Sequence, residues 1–440
     1  MTTTRTEQRR STPRRDAPRP TSTAATQAAA SPPARFEDLG VSGPVVQALA
    51  MRGFTAPFAI QALVLPDALA GRDVLARSRT GSGKTLAFAV PIVERLQHDG
   101  RSPKALILVP TRELASQVAE EFRAIADVRQ MQIATVYGGV GMHDQAKRAR
   151  RSDIVIATPG RLLDLLGRKL LRLDKARICV LDEADRMLDM GFLPDVRRIL
   201  EQLPTGRQTM LFSATLDGEV GRLAKEFTIE PVLHEIDDPR PVVTEADHRF
   251  IAVEHQDKVA ALVRELAADR GLTLVFVRTK RGADRLKQRL AQQGFRVGAL
   301  HGNLSQPQRD RALAQFARGR NDVLVATDVA ARGLDLEHIT HVVNFDPPED
   351  GKAYVHRVGR TARAGRGGEG ITFVMPDQRA DVRKIANELD LHAEWREAGM
   401  GSSEGPDRTP PPRPRPQPRS NGRSQRPRQS QNGRQPQRSR

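Results

Sequence analysis

Between residues 36 and 396 short apolar runs alternate with longer amphipathic stretches, the pattern of β-α units stacked around a parallel sheet. The pattern occurs twice. Residues 105–111 (ALILVPT) resemble 272–279 (LTLVFVRT), and 153–158 (DIVIAT) resemble 322–327 (DVLVAT). Thr111 and Thr158 lie 47 positions apart, and Thr279 and Thr327 lie 48 apart. Unrelated domains rarely share both their strands and the spacing between them, so we expect two similar α/β parallel-sheet domains in tandem. The first is expected over residues 36–234, the second over 248–396. A linker over 235–247 is marked by Asp237, Asp238, Pro239 and Pro241, which interrupt the apolar periodicity. Parallel sheets present ligands at the carboxyl ends of their strands, so two of them facing each other make a cleft that one ligand can bridge.

Length and charge sharpen this picture. At 440 residues the chain fits two folded domains with disordered ends at 1–35 and 397–440. Those ends hold most of the net charge of +17. Residues 1–35 carry +5 and residues 401–440 carry +8, leaving +4 for the middle. The Arg-rich ends are too poor in apolar residues to offset the entropy of ordering, yet they suit nucleic-acid phosphates through counterion release. No stretch approaches the ~20 apolar residues of a membrane helix, and the N-terminus lacks a secretory pattern. We expect a cytoplasmic protein without a membrane partner, acting as a monomer. Cys179 is the one cysteine, which excludes internal disulfides and cysteine-held metal clusters, and its apolar neighbours mark it as a core residue.

Candidate chemistry lies at the ends of the apolar runs. Residues 78–85 (SRTGSGKT) follow the run 74–76 and precede a helix-like stretch, the context of a phosphate-binding loop. Thr80, Gly81, Ser82 and Gly83 give phosphates access to backbone amides. Lys84 is expected on the β and γ phosphates of ATP, and Thr85 on Mg2+. Ser78 stands where this motif usually opens with glycine. Apolar residues 179–181 lead into Asp182 and Glu183, where a carboxylate can hold Mg2+ and its neighbour can orient the attacking water.

Asp182, Glu183, Ala184 and Asp185 spell the signature of the DEAD-box helicases, and further motifs follow in that family's order, so the chain resembles a DEAD-box ATP-dependent RNA helicase over about residues 36–395. The resemblance implies two RecA-like domains. It implies that Phe54 stacks on adenine with Phe36 behind it, and that Gln61, whose amide both donates and accepts, reads the adenine edge. Ala59 replaces a proline usual in that motif. Asp335 is implied at the ribose. Arg360 and Arg363 are implied as arginine fingers reaching across the cleft, with Ala362 in place of a usual glycine. Ser213 and Thr215 are implied to couple hydrolysis to unwinding, with His356 as their partner across the cleft. Arg112, Gly139, Thr158, Arg161, Gln306, Arg309, Thr327 and Arg332 match positions that bind one RNA strand.

These residues are backbone-gripping groups, and aromatics make up only 4% of the chain, so we expect RNA binding without sequence preference. The expected activity is RNA-stimulated ATP hydrolysis that locally unwinds RNA duplexes or remodels RNA–protein complexes. One alternative is an RNA annealing chaperone or clamp acting through the Arg-rich ends, and another is a DNA translocase built on the same motor. Ribosome-assembly and RNA-decay proteins are both compatible partners, and cold adaptation is an equally open pathway.

Overall fold

The computed structural model describes residues 35–78, 82–98, 103–236, 246–268, 271–331, 338–361 and 367–400. Residues 1–34 and 401–440 of the basic ends and 237–245 of the expected linker lie outside the described residues, and the linker's outermost positions belong to the strands Val232–Glu235 and Ala246–Ala252. Among those described, the first sheet is formed by β1 (Val74–Arg77), β2 (Ala105–Leu108), β3 (Ile133–Val136), β4 (Ile154–Ala157), β5 (Ile178–Asp182), β6 (Gln208–Ser213) and β7 (Val232–Glu235). Its spatial order is β3-β4-β2-β5-β6-β1-β7. The second contains β8 (Ala246–Ala252), β9 (Leu272–Phe276), β10 (Val297–Leu300), β11 (Val323–Ala326), β12 (Ile339–Asn344) and β13 (Gly368–Val374), in the order β10-β11-β9-β12-β13-β8. All pairings are parallel.

Matching the strands in chain order, β1 with β8 through β6 with β13, makes the two orders identical, with β7 as an extra edge strand. The near-repeat in the sequence therefore reflects a repeated topology: 105–111 contains β2 and 272–279 contains β9, while 153–158 and 322–327 contain β4 and β11. This bears out the expected α/β fold of two parallel-sheet domains.

The apolar runs form strands covered on both faces. Ala105 and Ile107 of β2 and Ile154 and Ile156 of β4 point into one core, while Leu106, Leu108, Val155 and Ala157 point into another. The same alternation divides Val275, Val323 and Val325 from Leu274, Leu324 and Ala326 in the second sheet. In the first domain Phe88 of the helix Lys84–Arg95 packs against Phe212 of β6 at 5.2 Å between ring centroids. No helix among the described residues is long and apolar enough to cross a membrane.

At the end of the first sheet remote from the cleft, buried Asp73 accepts from the backbone N–H of Thr209 and of Ile229, both at 2.7 Å. It thereby fixes the starts of β1, β6 and β7, whose register sets the position of Ser78 and Ser213 at the other end. Asp73→Ala strands both N–H groups, and we expect it to destabilise the fold by about 3 kcal/mol, read as a lower urea midpoint by circular dichroism.

Candidate functional site

Thr80, Gly81, Arg332, Asp335 and Arg363 lie outside the described residues, as does Ala362. The remaining candidates gather at the carboxyl ends of the strands. Beyond β1, the backbone oxygen of Ser78 accepts from Lys84 Nζ at 3.1 Å, and Ser82 Oγ bonds Ser78 Oγ at 3.1 Å. Gly83 enters the helix Lys84–Arg95 with φ +83°, and a Cβ there would lie 2.6 Å from both Gln61 Nε2 and Phe58 Cδ2. Glycine is required for its conformation and for its neighbours. Thr85, in the first turn of this helix, is partly exposed.

Gln61, expected to face a base, is fully buried. Its Nε2 donates to the Gly83 carbonyl and its Oε1 accepts from Phe58 N–H, both at 2.9 Å. One amide hydrogen and one lone pair remain for a ligand. Gln61 thus fastens its own helix, Ala59–Leu69, to the glycine loop. Phe54 packs against the core that contains Phe36, whereas Phe58 is 52% exposed at the start of that helix. Phe58 carried no motif signal, and its exposure is visible only in three dimensions.

β5 delivers Asp182 into the interior. Burial raises its carboxyl pKa to about 6, in spite of the nearby Lys84 ammonium, and Asp182 Oδ1 has no hydrogen-bond partner. A buried orphan carboxylate oxygen close to a lysine fits a hard divalent cation, whose ligands are oxygens. Glu183 adopts φ +53°, and its Oε2 accepts from Arg186 Nη1 at 2.7 Å in a buried ion pair. Ser213, at the end of β6, accepts through Oγ from the Asp185 N–H at 3.2 Å and the Thr215 N–H at 3.4 Å. One hydroxyl therefore joins the acidic box to the segment after β6.

The second domain meets this edge. Burial and then the Arg186 guanidinium hold the His356 imidazole well below its ordinary value, at about 3, with Asp185 opposing them. Sequence reasoning paired His356 with Ser213 and Thr215; its electrostatic neighbours in the first domain are Arg186 and Asp185. Arg360 is buried, and its Nε donates to the His356 carbonyl at 3.3 Å. Lys352 Nζ meets Asp189 at 3.1 Å.

Of the candidates for RNA, Arg112, Gly139, Arg161, Gln306 and Arg309 converge. Arg112 Nη1 donates to Gln306 Oε1 at 3.5 Å. Its guanidinium is held below its ordinary pKa by burial and by Arg309, with Arg161 adding to them. Gly139 has φ +86°, and a Cβ on it would lie 2.2 Å from Arg112 Nη1. Arg161 donates to the Val140 carbonyl and to Gln145 Oε1, both at 2.9 Å. Arg309 is buried, and its Nε and Nη2 approach Glu113 Oε1 at 2.7 and 2.6 Å. Glu113 was not singled out from the sequence: 196 residues separate it from Arg309, and spacing gives no sign of that pairing. Thr158 and Thr327 lie at the ends of β4 and β11, both buried, with N–H groups bonded to Val136 and Leu300, and Thr158 sits at the N-cap of the helix that carries Arg161.

The two-domain arrangement matches known proteins. The DEAD/DEAH box helicase family model matches residues 58–223, and the helicase conserved C-terminal domain matches residues 257–365. The chain is 41% identical over 352 residues to the DEAD-box ATP-dependent RNA helicase CshA of Geobacillus kaustophilus, covering 80% of this chain and 75% of that one. It is 43% identical over 362 residues to the RNA helicase CrhR of Synechocystis, covering 82% and 73%. The structure of S. cerevisiae Dbp5 bound to RNA and ADP BeF3 superposes with a TM-score of 0.73 at 31% identity, covering 84% of this chain and 95% of that one. Similarity that runs through both domains, in sequence and in fold, places this chain in the DEAD-box family of ATP-dependent RNA helicases.

Proposed function

We propose that this helicase grips one RNA strand by its sugar–phosphate backbone across both domains, without reading sequence, and couples that grip to ATP hydrolysis in the cleft. The observation that carries this reading is the convergence of Arg112 and Arg161 with Arg309 beside Gly139. Arginines brought together from two domains repel one another, and a bound phosphate relieves that repulsion. The Glu113–Arg309 bridge offsets part of it meanwhile and ties the track to cleft closure. Gln306, Thr158, Thr327 and Arg332 extend the track. The Dbp5 structure similar to this chain is bound to RNA.

In this reading Mg2+·ATP supplies the phosphoanhydride whose cleavage resets the cleft. Phe54 and Gln61 hold adenine and Asp335 the ribose. Thr80, Gly81, Ser82, Gly83 and Lys84 hold the phosphates, while Thr85 and Asp182 hold Mg2+. Glu183 orients water and accepts its proton. Arg360 and Arg363 stabilise charge on the transferred group once the domains meet, and Ser213, Thr215 and His356 relay closure between the two sites.

Lys84→Ala and Glu183→Gln are each expected to lower RNA-stimulated ATP turnover by about a hundredfold or more, measured as phosphate release; wild-type turnover in both would sink the assignment. Gly139→Ala costs about 1–2 kcal/mol in backbone conformation alone and displaces Arg112. Its RNA half-saturation, read from the same ATPase assay, should rise about tenfold. Acid should open the cleft. Closure depresses the His356 pKa from an ordinary 6.5 towards 3, so the closed state binds fewer protons and loses stability as pH falls below 6.5. Between about pH 7.5 and about pH 5.5 the RNA complex should weaken about tenfold, and His356→Asn should reduce this dependence in a filter-binding titration, leaving the part due to Asp182, whose pKa of about 6 falls in the same window.

A further inference from the structure

Within the expected finger motif, Arg357 is held by partners on three elements of the second domain. Arg357, on the helix Gly351–Val358 that carries His356, is 6% exposed. Its Nε and Nη2 make a two-pronged bond to Asp328 Oδ1 and Oδ2 at 2.6 and 2.7 Å. Its Nη1 donates to Asn344 Oδ1 at 3.1 Å and to the Asp346 carbonyl at 2.6 Å. The guanidinium lies 5.0 Å from the centroid of the Phe276 ring. Asp346 is itself fixed, by Lys258 at 2.6 Å and by the Arg278 N–H at 2.8 Å. One planar side chain thus fastens the helix to the ends of β9, β11 and β12.

Of these partners, Asn344, Asp346 and Phe276 sit at the ends of buried central strands and form a rigid seat. Asp328 differs. It opens the short helix Asp328–Ala331, immediately follows Thr327 on the proposed RNA track, and is 31% exposed. Any shift of the Thr327 loop therefore pulls on Arg357 along two parallel bonds, and Arg357 lies one residue from His356 and three from Arg360.

We propose that the Asp328–Arg357 fork is the positioning device through which RNA at the Thr327 loop sets the helix that presents His356 and Arg360 to the nucleotide. The fork acts through its neighbours and contacts neither ligand. This rests on the backbone-grip reading above and adds the route of coupling within the second domain. A planar guanidinium is needed, because lysine supplies a point charge and cannot hold two oxygens and a carbonyl at fixed angles.

The test uses the full chain, a fluorescent non-hydrolysable ATP analogue and an oligouridylate. The readout is the factor by which saturating RNA tightens the analogue, measured alongside melting midpoint. Asp328→Asn keeps the shape and removes the charge, and Arg357→Lys keeps the charge and removes the fork. Each should lower the coupling factor about tenfold while leaving the analogue's affinity without RNA unchanged, and the double variant should be no worse than the worse single one. Full coupling in Asp328→Asn, additive losses, or an equal loss of analogue affinity without RNA would each overturn the proposal. If Arg357→Lys fails to fold, Asp328→Asn decides alone. A wild-type chain whose analogue affinity ignores RNA would overturn both this proposal and its parent reading, and is recognised before any variant is made.

Discussion

The central strands of both sheets are covered by helices on each face, which leaves strand ends as the place for charge. A carboxylate or guanidinium in the middle of β2, β4, β9 or β11 would point into one or other of two apolar cores. The chain therefore brings Asp182, Ser213, Thr158, Thr327 and Asp346 to the carboxyl ends of their strands. Because the two sheets repeat one strand order, they offer matching edges. A cleft with chemistry on both walls follows from this doubled constraint.

Placing so much charge at the ends of buried strands has an electrostatic cost, and the pairings distribute it. Glu183 is held by Arg186 and Arg357 by Asp328, while Arg309 is held by Glu113. Among the described residues at the carboxyl ends of the strands, Asp182 departs from this, with an unpartnered oxygen and a raised pKa. That departure falls where a cation is expected and the pairings fall around it. Breaking a buried pair by removing one member leaves the other charged in low dielectric, which typically costs about 3–5 kcal/mol. The supporting pairs therefore matter as much as the groups they hold in place.

Much of the fold was legible because it is local. Four-residue apolar runs bounded by threonine and aspartate mark β4 and β11, and their recurrence at nearly equal spacing exposes the duplication. The acidic box and glycine loop were legible for the same reason, since their residues are neighbours in sequence. What could not be read was the pairing across long separations. Glu113 looks like any acidic residue near a helix start until Arg309 arrives from the other domain. Gln61 reads as a base-recognising amide, and only the structure reveals its bonds to Gly83 and Phe58. Arg357 is indistinguishable in sequence from Arg360, three residues on. Spacing identifies which residues share a loop, whereas the partner of a buried charge is chosen by the tertiary fold.

The extra strand β7 has a mechanical meaning. It pairs in parallel along the whole of β1, and it is pinned again by Arg77–Glu235 at 3.0 Å and by His234–Asp67 at 2.9 Å. The chain leaves β7 at residue 236 and enters the second domain at β8, so the tether between the domains is rooted in the strand paired with β1, which leads into Ser78. Movement of the second domain is thus applied, through a hydrogen-bonded ribbon, to the strand that carries the glycine loop. The loop and the tether share one lever.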